Sequence, residues 1–379
     1  MKKILICGAG LVGGPMALDM AGDPDTTVTV ADKCPASLRR LEGRTNLLTQ
    51  QADLSDEKQL AHLAADKDLV ISAVPGFMGF GTLRNLIRLK KNVVDIAFFP
   101  EDMLALDAMA REQGVTVISD MGVAPGMSHV LSGFASFQLD ETDSVLIYVG
   151  GLPIKRIWPF EYRAVFSPAD VLEEYTREAR VVENGRVVAK PALSERELIH
   201  FERPGTLEAF NSDGLRSLTH TLKANRMAEK TLRYKGHAEL MEIFSHTGFF
   251  ATEPVQLQGH SIRPVDFTSK LLFPIWKLQP GEADLTVMRI EVTGIKNGQK
   301  ASFTFDLYDE YDPATGIHSM ARTTGYAATS AARLILEGLY TETGVTPPEF
   351  LGKRKEWVDF LLKQQAARGI HYQIRTEGL

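Results

Sequence analysis

Gly8, Gly10 and Gly13 follow the apolar run Ile4-Leu5-Ile6-Cys7, and Asp32 closes the next such run, Val28-Thr29-Val30-Ala31. A short buried strand that turns through G-x-G-x-x-G into a helix suits pyrophosphate binding. Gly8 permits the tight turn, Gly10 lets a phosphate approach backbone with no Cβ in the way, and Gly13 lets the helix pack on the strand. Leu11 and Val12 complete the turn, whose exposed N–H groups and positive helix end favour an anion. Asp32 stands nineteen residues beyond Gly13. A carboxylate there accepts hydrogen bonds from both adenosine ribose hydroxyls and repels a 2′-phosphate. The cofactor expected is therefore NAD rather than NADP, with Lys33 weakening the preference. Such a turn also serves flavin or another nucleotide.

A second set of chemical groups falls where further strands should end. Alternating apolar runs and helical stretches predict strands at Leu47–Ala52, Asp68–Val74, Asn92–Ile96 and Gly114–Ile118, separated by helices at Glu57–Ala65, Thr82–Leu89 and Glu101–Glu112. Ligands of a doubly wound sheet bind outside the carboxyl ends of its strands. That rule sets Asp53, Val74-Pro75-Gly76, Asp95 and Asp120 along one crevice. Asp53 either meets the adenine amino group or caps a turn. Asp95 and Asp120 either exchange a proton with substrate or cap their own strand ends. His129 has a side chain suited to general-base work, or else makes a polar contact at a helix start.

The pattern changes between Ser128 and Arg322. Strand-like segments at Ser144–Val149, Arg186–Ala189, Leu285–Thr293 and Ala301–Leu307 predict an α+β second domain on a mixed or antiparallel sheet, with a hairpin at Lys296-Asn297-Gly298-Gln299. The alanine-rich stretch Thr324–Leu339 predicts a close-packing helix, and Glu356–Arg368 another. The expected fold is an N-terminal Rossmann-type doubly wound parallel sheet, residues 1–127 with a return segment 320–379, and a substrate-binding and dimerisation domain, residues 128–319.

Composition narrows the function classes. The chain has 379 residues, is 44% hydrophobic and 24% charged, and carries a net charge of −6, ordinary values for a globular enzyme. That charge leaves no basic footprint for nucleic acid, and no polybasic run or apolar stretch of membrane length occurs. Two cysteines, Cys7 and Cys34, form no paired framework, and the chain starts directly in a strand with no leader pattern; a cytoplasmic protein is expected. No H-E-x-x-H or paired-cysteine pattern announces a metal. A homodimer is expected by analogy with sheet-rich two-domain enzymes.

The run Asp120-Met121-Gly122-Val123-Ala124-Pro125-Gly126-Met127-Ser128-His129 resembles the saccharopine dehydrogenase family, whose members carry a Pro-Gly element after the last nucleotide-domain strand. Gly205-Thr206-Leu207-Glu208-Ala209-Phe210-Asn211-Ser212-Asp213-Gly214-Leu215 and Met320-Ala321-Arg322-Thr323-Thr324-Gly325-Tyr326 are further points of likeness. Within the family the chain looks most similar to L-lysine 6-dehydrogenases. Saccharopine-forming members often have Asn-Arg-Asp where Asn211-Ser212-Asp213 stands here, and Ser212 cannot grip a carboxylate as an arginine fork does.

The resemblance implies NAD-dependent oxidative deamination of an amino-acid side-chain amine. The implied substrate is L-lysine, giving the 6-semialdehyde, which cyclises to 1-piperideine-6-carboxylate, and ammonia. It further implies that Gly122, Pro125 and Gly126 shape the backbone beneath the nicotinamide. Arg322 is the first choice for the α-carboxylate, with Arg216 and Lys155 as alternatives. Glu208 and Asp213 would hold the α-amino group, and Asn211 or Thr323 would add neutral hydrogen bonds. His220 is a further candidate base, and Trp158, Phe160 and Tyr162 either shield the aliphatic stem or pack in ordinary core. Two other readings stay open: a saccharopine- or carboxynorspermidine-type dehydrogenase, and a non-catalytic NAD(P)-binding module.

Overall fold

The computed structural model describes residues 1–165, 168–279 and 281–379, without the side chains of 168–170. The chain divides into two compact units. The first comprises Met1–Gln138 and Ala321–His371, the second Leu139–Met320 and Tyr372–Leu379.

The first unit is built on a seven-stranded parallel sheet. Its strands run in the order Gly344–Thr346, Thr116–Ile118, Asn92–Asp95, Leu69–Ser72, Lys2–Cys7, Thr26–Asp32, Leu47–Gln51. Parallel strands covered on both faces read as unbroken apolar runs; Ile4, Leu5, Ile6 and Cys7 are accordingly all fully buried. Each expected strand is present: the first two extend beyond the apolar runs that mark them, to Lys2–Cys7 and Thr26–Asp32, and the next four are shortened by one to three residues. The helix expected at Thr82–Leu89 instead spans Gly76–Arg88. Glycine lowers helix propensity, which hides the first turns from a sequence reading. Gly79 is needed because a Cβ there would lie 2.6 Å from Ala97 Cβ.

The small-residue helix, Ser319–Leu336, begins in the second unit and runs on in the first. It packs closely on the helix Gly13–Ala21, where a Cβ on Gly325 would meet Met16 Cγ at 3.0 Å. Arg333 Nη1 bonds Asp19 at 2.8 Å and its Nε bonds Asp23 at 2.7 Å, so the two helices are also tied by ion pairs.

The second unit holds a mixed nine-stranded sheet. Its main path is Glu197–His200, Thr206–Asn211, Arg226–Arg233, Glu141–Pro153, Asp284–Lys296, Gln299–Glu310, Tyr372–Glu377, with Ala179–Glu183 and Arg186–Lys190 branching from Arg226–Arg233. The predicted hairpin turn is present. Asn297 at φ 52° and Gly298 at φ 77° both take the left-handed conformation that a two-residue turn demands. The chain end departs from expectation: Tyr372–Glu377 is an added strand of this second sheet rather than part of the return segment. An aromatic core of Phe160, Tyr162, Tyr175, Phe210 and Trp276 packs in the same unit.

Candidate functional site

At the edge of the first unit's sheet the glycine turn has the form the sequence predicts. Gly8 sits at φ 107°, and a Cβ on Gly13 would lie 2.1 Å from the Gly8 carbonyl oxygen. A Cβ on Gly10 would meet nothing within 4 Å, so the space above it is open. Val12 caps the helix Gly13–Ala21 without a side-chain hydrogen bond, and Leu11 is half exposed. An open glycine under an uncapped helix start is a cradle that fits a pyrophosphate. Asp32 Oδ2 accepts from the Ala9 N–H at 2.7 Å, and its Oδ1 accepts from the Cys34 N–H at 2.7 Å. Both oxygens are thus oriented by backbone, with the residue half exposed. Asp53 is exposed, and the Ser55 hydroxyl and N–H hold its carboxyl below the usual range. That is a turn role.

The next strand ends carry buried polar groups. Val74 is buried, while Pro75 is exposed and caps the helix Gly76–Arg88. Asp95 closes Asn92–Asp95 and is fully buried. Burial pushes its carboxyl up to about 8; the Asp120 charge adds to the rise, and the Ser72 and Ser119 hydroxyls oppose it. Asp120 is 1% exposed and holds φ 57°. The loop after it closes on itself: Gly122 N–H donates to the Pro125 carbonyl at 3.0 Å, and Met127 N–H donates to the Gly122 carbonyl at 2.9 Å. A Cβ on Gly126 would lie 1.9 Å from Gly122 O, so only glycine fits there. His129 is fully buried in the helix Met127–Gln138, with Nδ1 3.0 Å from Ser128 Oγ. Arg322 and Thr323 are both buried in this unit, and Arg322 Nη2 donates to the Arg368 carbonyl at 2.9 Å.

The remaining candidates lie in the second unit. Asp213 is held by Arg180 through two side-chain bonds, Nε–Oδ1 at 2.8 Å and Nη2–Oδ2 at 2.9 Å. Glu208 Oε2 accepts from the Gly236 N–H at 3.2 Å. Asn211 is fully buried, its Nδ2 donating to Ser194 Oγ at 3.1 Å and Glu195 Oε2 at 3.2 Å. Ser212 Oγ accepts from the Thr231 hydroxyl at 2.8 Å. Arg216 is buried at φ 48°, whereas His220 and Lys155 are exposed. Phe160 and Tyr162 are core residues, and Trp158 is 86% exposed.

Sequence reading missed two networks. One is the row Cys7, Ser72 and Asp95, in register across three adjacent strands; the alignment of strand ends was the signal available for it. The other is Arg233, buried between Glu174 and Tyr175 with His237 beside it. Burial, then the Arg233 charge, pushes the His237 imidazole down to about 3, so it stays neutral.

Residues 4–118 match the saccharopine dehydrogenase NADP binding domain, and residues 122–370 match the saccharopine dehydrogenase C-terminal domain. The chain belongs to the saccharopine dehydrogenase family. Among its relatives, the mitochondrial alpha-aminoadipic semialdehyde synthase of Bos taurus is 26% identical over 99% of this chain and 48% of its own length. This family member therefore spans about half of that relative. The saccharopine dehydrogenase [NADP(+), L-glutamate-forming] of Saccharomyces cerevisiae is 24% identical over 92% of this chain and 94% of its own. The carboxyaminopropylagmatine dehydrogenase of Synechocystis is 22% identical over 94% and 96%. The apo saccharopine dehydrogenase (L-Glu forming) structure from Saccharomyces cerevisiae superposes with a TM-score of 0.82 at 20% identity, covering 100% of both chains. It has the same fold.

Proposed function

We propose that this chain is a pyridine-nucleotide-dependent oxidoreductase that oxidises an amino-acid side-chain amine, with NAD as cofactor and L-lysine as substrate. The observation that carries the reading is the first unit's strand edge. There the open Gly8–Gly13 cradle and the backbone-oriented Asp32 share one sheet with the buried carboxylates Asp95 and Asp120. Relatives named as dehydrogenases of amino-acid and amine compounds support it.

Gly8, Gly10, Leu11, Val12 and Gly13 would hold the pyrophosphate, Asp32 the adenosine ribose, and Gly122, Pro125 and Gly126 the nicotinamide end. When bound, the nicotinamide supplies the hydride acceptor. The chain's own residues do the rest. Asp120 pairs with the substrate ammonium and takes its proton, so that the neutral amine is the species oxidised. Arg322 pairs with the α-carboxylate. His129 and Thr323, both buried, shield the reacting carbon while the hydride leaves, and water then hydrolyses the resulting iminium to the semialdehyde and ammonia.

The test is reduced-nicotinamide absorbance with NAD and NADP side by side, each against lysine, saccharopine and a diamine. Turnover of lysine alone supports the proposal. A preference for saccharopine by more than about tenfold, roughly 1.4 kcal/mol, overturns the lysine assignment. Nucleotide binding without turnover of any amine overturns the enzymatic reading.

A further inference from the structure

Three of the first unit's adjacent parallel strands end on one row. Cys7 lies opposite Ser72, and Ser72 lies opposite Asp95, all three fully buried. The Ser72 hydroxyl stands beside the Asp95 carboxyl and favours its ionised form, though Oδ1 falls outside strict hydrogen-bond geometry. The other carboxylate oxygen, Oδ2, accepts from Ser119 Oγ at 3.4 Å, and the Asp95 carbonyl accepts from the Met121 N–H at 2.9 Å. These two bonds fall on either side of Asp120. That residue holds φ 57°, a left-handed conformation that aspartate adopts more readily than most side chains. Asp95 touches the residue before it through its carboxyl and the residue after it through its main-chain carbonyl.

We propose that Asp95 is a positioning residue, whose carboxyl holds the Ser119 hydroxyl beside the main-chain bond to Met121 and so presents Asp120 to the substrate amine, and that it takes no substrate proton itself. This deepens the oxidoreductase reading and rests on it. The groups acting on the Asp95 carboxyl are the Ser72 and Ser119 hydroxyls, the Ala97 main chain and the acidic Asp120, with Cys7 on the adjoining strand end. None of these is a cation, so nothing in this set compensates a buried negative charge. Two carboxylates set this close favour keeping one of them protonated. A neutral Asp95 satisfies that condition, and it assigns the two acids different work.

The sign of the pH effect follows. The Asp95 carboxyl is raised from 3.8 to about 8 in the folded chain. The folded state therefore holds a proton that the unfolded state releases. Its contribution to stability is fully present below the unfolded value and is lost as pH rises through the folded one.

The experiment compares full-length wild type, Asp95→Asn and Asp95→Ala by thermal melting from about pH 5 to about pH 9 and by steady-state kinetics. Asn keeps the neutral shape and the Ser119 contact, whereas Ala removes that contact and leaves the bond from Met121 N–H to the residue-95 carbonyl in place. The wild-type melting temperature should decline across this range, and that of Asp95→Asn should stay flatter. Asp95→Asn should keep kcat within about fivefold of wild type, and Asp95→Ala should lose more than about twentyfold in kcat with little change in KM. A folded, nucleotide-binding Asp95→Asn that loses more than about a hundredfold in kcat would show that Asp95 is itself the proton acceptor. Equal melting slopes for wild type and Asp95→Asn would show that it is not held neutral. If wild type turns over no amine, the oxidoreductase reading fails, while the melting slopes still report the state of Asp95.

Discussion

Asp32 and Asp213 are both strand-end or near-strand carboxylates, and what surrounds each decides its use. Asp32 is oriented by two backbone N–H groups and stays half exposed. Asp213 is engaged by Arg180, thirty-three residues away in sequence, and is buried. The first placement, at the end of a strand, was legible because it depends on local spacing. The second was not, because nothing near Asp213 in sequence marks Arg180 as its partner. Replacing Asp32 by Ser should remove the repulsion of a 2′-phosphate. The ratio of kcat/KM for NAD over NADP should then fall by about tenfold or more, roughly 1.4 kcal/mol. Better use of NADP by the wild type would overturn the ribose assignment. Arg322→Ala is the companion test for the substrate. Loss of a charge-assisted pair costs roughly 1.5–3 kcal/mol, about one to two decades of affinity. KM for lysine should rise by that factor, while KM for cadaverine, which lacks the carboxylate, should hardly change. An equal rise for both would assign Arg322 a purely structural role through its bond to the Arg368 carbonyl.

At the scale of elements, two glycines of one turn do opposite work. The apolar run, the turn and the helix start were all readable, since each follows from a local pattern. The motif already assigns Gly10 to a phosphate and Gly13 to packing, and the structure adds the contact that makes the second obligatory. A methyl group on Gly13 collides with the Gly8 carbonyl, whereas one on Gly10 points into open space. Gly13→Ala should therefore destabilise the first unit by about 3 kcal/mol or more, seen as an early thermal transition. Gly10→Ala should melt like wild type, yet weaken nucleotide binding by about tenfold in a titration. Normal nucleotide binding by a folded Gly10→Ala would place the pyrophosphate elsewhere. The helix Gly76–Arg88 teaches the converse lesson: its glycines argued against helix in the sequence, and packing against Ala97 and Phe99 overrode them.

At the scale of the whole chain, the two units are interleaved in sequence, and the last crossing was the one that the sequence concealed. Tyr372–Glu377 alternates β-forming Tyr372, Ile374 and Thr376 with polar residues, but it is six residues long and mostly exposed, so no buried face marked it as a strand. Its support is backbone pairing with Gln299–Glu310 and the bond from Arg375 Nη2 to Asp306 at 2.5 Å. A strand with so little apolar burial contributes little hydrophobic free energy, but it covers an edge. Without it, Gln299–Glu310 would present a row of unpaired N–H and C=O groups, and free edges invite pairing with other chains. A chain ending at His371 should therefore lose only about 1–2 kcal/mol, a fall of roughly 1–3 °C in melting temperature at this size. Its larger defect should be self-association, visible as concentration-dependent higher-mass species in light scattering. A truncated chain that stays as well dispersed as wild type would show that the edge is protected by other means. Collapse of the second unit's cooperative transition would show that the terminal strand contributes much more to folding than its exposure suggests.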